Sequence, residues 1–119
     1  MHKAAIIAAL LAAPAVALAG PLSEYAGVWT QKDGPSGAGA DWRIKELPGV
    51  LEVSLPDHVG DKKNRYLVLS AAGPNTFATG PKSFARAKIT KVKPGVIHME
   101  VRKLDGGGVI YFDSDLIKR

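Results

Sequence analysis

Leu51-Glu52-Val53-Ser54-Leu55 alternates apolar and polar residues without a break. Successive side chains of an extended strand point to opposite faces, so this pattern puts Leu51, Val53 and Leu55 on one buried face. The same period of two recurs in Trp42-Arg43-Ile44-Lys45, in Ala85–Ile89 and in Ile97–Val101. Turn chemistry separates these runs. Leu47-Pro48-Gly49-Val50 and Lys93-Pro94-Gly95-Val96 each set a proline before a glycine. Proline fixes the first central φ and glycine accepts the positive φ of a type II turn. Asp105-Gly106-Gly107-Gly108 reads as a third tight connection. Short connections of this kind join antiparallel neighbours.

Taken in order, the strand-like runs are 25–31, 41–47, 51–55, 65–71, a short run at 76–79, 84–93, 96–104 and 109–117. The run at 84–93 has a helical alternative, because Ala, Arg and Lys are good helix formers. Its sustained alternation favours a strand with Ala85, Ala87 and Ile89 inward and Arg86 and Lys88 outward. The glycine-rich stretch 32–40 is long for a hairpin connection and suits a binding loop or lid. The expectation is an all-β fold: an antiparallel meander of about eight strands, closed into a small barrel. Closure hides the edges that long apolar strands would otherwise expose.

The first 19 residues stand apart. Met1-His2-Lys3 is followed by an apolar run to Leu18 and a small-x-small site at Ala17-Leu18-Ala19. That is the layout of a signal peptide, with Gly20 as the new N-terminus and residues 20–119 as a single exported domain, periplasmic or secreted. The run is short for a membrane span. The remaining residues, about 100, are enough for one core. With no cysteine in the chain, that core has no disulfides to hold it.

No catalytic signature is legible. No serine sits in a nucleophile elbow, and the glycines at 106–108 are followed by no helix that would make a phosphate site. His58 and His98 stand far apart in sequence without the clustering a metal needs, so no metal or other cofactor is expected. Asp113 and Asp115 share one strand face; acid/base work is one reading, plain solvent exposure the simpler one. Lys62, Lys63, Arg65, Lys82, Arg86, Lys88, Lys91, Lys93, Arg102 and Lys103 make one region basic, and the whole chain carries a net charge of +5. This gives weak attraction to anionic surfaces. Without interleaved aromatics it is no nucleic-acid platform, and a solvated sheet face explains it as well. Trp29, Trp42 and Tyr66 are the candidate lining of a ligand pocket; ordinary core packing is the alternative.

Gly27-Val28-Trp29, early on the first strand of an exported all-β chain, resembles the Gly-x-Trp signature of lipocalins and their calycin and avidin-like relatives. The resemblance implies an up-and-down barrel with Gly27 and Trp29 at its floor, covered by a basic side chain from the end of the last strand. Of Lys118 and Arg119, Arg119 is expected to point inward and stack on Trp29, with Lys118 outward. It also implies a non-enzymatic protein that takes an apolar or amphipathic small molecule at the barrel mouth. The alternative is a filled barrel that engages a protein through its loops, as an inhibitor or interaction module.

Overall fold

The computed structural model describes residues 19–37, 39–59, 63–104 and 109–119. Most of the leader, Lys62 and the Asp105–Gly108 connection lie outside the described residues. A 3-10 turn over Leu22–Glu24 precedes eight strands: β1 Gly27–Gln31, β2 Trp42–Leu47, β3 Val50–Ser54, β4 Tyr66–Gly73, β5 Thr76–Thr79, β6 Ala85–Lys93, β7 Val96–Lys103 and β8 Ile110–Lys118. Each pairs antiparallel with its sequence neighbour, and β1 pairs with β8 to close the barrel. The segment 84–93 is the strand its alternation predicts. Ala85, Ala87 and Ile89 are buried, while Arg86 and Lys88 are exposed. Periodicity prevails over helix propensity because β5 and β7 supply backbone partners on both sides. Among the described residues no helix is long and apolar enough to cross a membrane.

The two ends of the barrel differ. One end carries the two-residue turns at 48–49, 74–75 and 94–95, together with the 3-10 turn and the last residues of β8. Gly49 and Gly95 adopt φ +76° and +79° there, as the Pro-Gly turns require. The other end carries the described residues of the longer connections, 32–37, 39–41, 55–59, 63–65 and 80–84.

The interior is filled by side chains. Trp29, Trp42, Phe77, Leu51, Leu67, Leu69, Ile89, Ile97, Met99 and Leu116 are all buried in one apolar cluster. Trp42 lies against Phe112 with ring centroids 4.7 Å apart, and Tyr25 meets Phe77 edge-on at 4.8 Å. Buried aromatic pairs of this geometry add to simple area burial. Two residues outside the strands also turn inward. Tyr25 leaves the strand for the 3-10 cap but is still buried. Val59, in the loop after β3, joins the core.

Candidate functional site

The end that carries the chain's first and last described residues is built around Trp29. β1 and β8 meet there in the register Trp29↔Lys118 and Gln31↔Leu116. Leu116 is buried, and strand alternation gives Lys118 the same inward side. The Lys118 ammonium stands 5.8 Å from the Trp29 ring centroid. Arg119, one residue on, turns away and binds the carboxylate of Asp41. The expected basic cover over the indole exists, but Lys118 provides it and Arg119 does not. The parity of β8 decides this: an inward Leu116 leaves Arg119 on the opposite side.

Gly27 explains itself in the same geometry. A methyl group at its α-carbon would lie 3.0 Å from Lys118 Cε, and its φ of +138° is one that side chains avoid. The glycine lets the lysine stem cross toward the indole. Gly27→Ala is expected to cost about 1–3 kcal/mol, the usual range for a strained backbone position. Urea denaturation checks it, and an unchanged midpoint would remove this role from Gly27. The Trp29 indole N–H donates to the Tyr25 carbonyl at 2.8 Å, which fixes the ring edge-on to the cap.

A cleft of about 290 Å³ opens at this end, lined by Glu24, Tyr25, Trp29, Lys91, Lys93, Pro94, Gly95, Ile97 and Lys118. Its floor is apolar and its rim is charged. Lys91 pairs with Glu24 at 2.6 Å, and Lys118 donates to the Glu24 carbonyl at 3.3 Å. The Tyr25 hydroxyl donates to the carbonyl of Ala19, which is itself buried. Burial, helped by the Glu24 charge, pushes the Tyr25 phenol above its usual range and keeps it neutral.

Of the three aromatics expected to share a pocket, only Trp29 lines this cleft. Trp42 is sealed in the core against Phe112. Tyr66 is 62% exposed on the outer face of β4, because Leu67 and Leu69 take the inward side. It borders a shallow outer groove with Val50, Val68 and Phe84.

At the opposite end, the expected mouth, described residues of the loop after β3 turn into the barrel. Val59 is buried, and the Arg65 guanidinium donates to the carbonyls of Val59 at 2.9 Å, of Leu55 at 3.0 Å, and of Pro56. Arg65 therefore acts as an internal clamp and not as part of an outer basic surface. The 32–40 loop is tied down nearby. Asp41 accepts from Thr30 Oγ1 at 3.1 Å, from the Gly37 N–H at 3.0 Å and from Arg119. Burial pushes its carboxyl up, but the Gly37, Thr30 and Arg119 hydrogen bonds outweigh it and hold the pKa below the usual range.

On the outer face, Asp113 and Asp115 are not free carboxylates. His98 on β7 lies opposite Asp115, with Nδ1 2.7 Å from Asp115 and Nε2 against Asp113. Two carboxylate acceptors need two ring N–H donors, which only imidazolium has. The Asp115 hydrogen bond raises the His98 pKa above 6.5, partial burial opposes it, and Asp113 raises it further. A raised folded-state pKa stabilises fully below the unfolded value of about 6.5 and is lost as pH rises through the folded value. Thermal stability is thus expected to decline in the alkaline direction above about pH 6.5. His98→Gln is expected to remove that limb, with imidazole NMR titration as the direct check. A His98 resonance that titrates below 6.5 would refute the clamp. The rest of the basic region is partly neutralised as well: Arg102 pairs with Glu100 at 3.0 Å. His58 sits exposed in the loop after β3.

These features define a small, closed, eight-stranded antiparallel barrel with a filled interior and a cleft at one end. Comparison with protein-family profiles, with curated proteins and with solved structures finds no match.

Proposed function

We propose that this is an exported, non-enzymatic binding protein of lipocalin-like design whose small-molecule site is the cleft beside Trp29. The observation that carries the reading is the cleft itself: an apolar floor of Tyr25, Trp29 and Ile97 at the bottom of a concave space of about 290 Å³. That volume sits at the lower edge of ligand pockets, so the ligand is small. The filled core, with Val59 buried at the loop-bearing end, supports a site at this end instead. The signal-peptide layout of residues 1–19 supports export, and cleavage before Gly20 removes Ala19 and with it the acceptor of the Tyr25 hydroxyl. Native mass spectrometry of protein purified from its own source tests both parts. The expected result is a chain beginning at Gly20 that carries a dissociable small molecule. An intact Met1 in exported material would sink the export reading, and ligand-free protein with an unliganded Trp29 signal would count against the cleft.

A second reading has its own support. Leu104, Val109, Ile110 and Tyr111 are all exposed around the β7–β8 hairpin, where loop apolar groups would meet a protein partner. Under that reading the barrel is a filled scaffold. Ile110→Lys would then abolish a protein complex from the source while leaving any ligand in the cleft in place.

A further inference from the structure

The cleft beside Trp29 has a charge pattern that its apolar floor does not require. Three lysines, Lys91, Lys93 and Lys118, line it, against the single carboxylate of Glu24. Glu24 is already paired with Lys91 at 2.6 Å. Lys93 and Lys118 therefore line the cleft with no further lining carboxylate to balance their charge, and the Lys118 ammonium is placed over the indole. Lys118 stands over the Trp29 ring, while Tyr25, Trp29 and Ile97 are all within 2% of complete burial. The lysine stem is thus part of the roof over the apolar floor. A molecule that reaches the floor meets the ammonium groups first and takes the place of the Lys118 stem on the indole.

From this arrangement we infer that the cleft selects a small apolar anion, such as a medium-chain or aryl carboxylate. This rests on the proposed function, and adds the sign of the ligand's charge. The anionic head lies between Lys93 and Lys118 at the rim. The apolar body packs on Trp29, Ile97 and the ring of Pro94. Lys118 swings off the indole to meet the head, exchanging a cation–π contact for an ion pair. A cationic amphiphile of the same shape loses this head contact and meets like charge at the rim. A neutral one keeps the floor and gains nothing at the rim. Glu24 does not reverse the preference, because Lys91 neutralises it.

The test uses three matched probes, octanoate, octanol and octylamine, by titration calorimetry and by the NMR shift of the Trp29 indole N–H. Two partly exposed ion pairs predict that octanoate binds about tenfold tighter than octanol. Lys93→Glu, at the exposed end of β6, is expected to erase that advantage. Lys118→Met, which keeps the stem and removes the charge, is expected to erase about half of it on a logarithmic scale. Equal binding of octanoate and octanol, both moving the Trp29 signal, overturns the anion selectivity while the cleft stands as a binding site. Tighter binding of octylamine does the same. Octanoate binding without a Trp29 shift overturns the assignment to this cleft. If none of the three probes moves Trp29, the proposed function fails and the selectivity with it.

Discussion

Trp29→Ala is expected to lower the free energy of unfolding by about 3–5 kcal/mol, the range for truncating a large buried aromatic. That is a large share of the roughly 5–15 kcal/mol that holds a domain of this size together. Three contacts are lost at once. The indole is only 1% exposed in the core, its N–H satisfies the Tyr25 carbonyl, and its face carries Lys118. It also joins β1 to the cap and to β8, the strand that closes the barrel. Loss of the ring loosens the closure seam, not a single pocket. Guanidinium denaturation is expected to show the shift in midpoint. Trp29→Phe is expected to recover more than half of it, because most of the burial returns while the Tyr25 carbonyl stays without its donor. A loss under about 1 kcal/mol for Trp29→Ala would mean that the β1–β8 seam does not depend on this residue.

The architecture was readable because its determinants are local. Period-two alternation gives the inward face of β2, β3, β6 and β7 from neighbouring residues alone. The two Pro-Gly turns fix which of these strands are neighbours. Closure was legible for a weaker reason, the need to hide edges, and the β1–β8 pairing fulfils it. The details of the site depended on register, which no local pattern states. Whether Lys118 or Arg119 faces Trp29 turns on a single residue of parity in β8. The His98 clamp needed the cross-strand pairing His98↔Asp115, which brings together residues 17 apart in sequence. Tyr66 was misread because β4 is apolar on both faces, so composition could not choose between Tyr66 and Leu67 for the interior. Arg65 counted as one of a run of surface cations for a similar reason: a side chain's partners in distant carbonyls leave no mark in its own segment.

Arg65→Met is the second large effect. The substitution keeps an aliphatic stem of similar length and removes the donor group. Arg65 reaches the carbonyls of Leu55, Pro56 and Val59 as the chain turns inward after β3, and the Pro56 carbonyl also accepts the Val59 N–H at 3.1 Å. Hydrogen bonds from a charged donor contribute about 1.5–3 kcal/mol each. Water reaching the end of the barrel replaces part of this, so the expected net loss is about 2–4 kcal/mol. The local effect exceeds the global one. Val59 is held in the core by the loop after β3, so amide exchange at Leu55, Asp57, His58 and Val59 should rise by more than at β6 or β7. Arg65→Lys distinguishes a clamp from a simple positive charge. An ammonium is a point donor and does not span carbonyls on three residues as a planar guanidinium does. It is expected to restore less than half of the lost stability. Full rescue by lysine would show that charge at this position suffices. Unchanged exchange at Val59 in Arg65→Met would show that the apolar plug seats itself, with the guanidinium only resting against it.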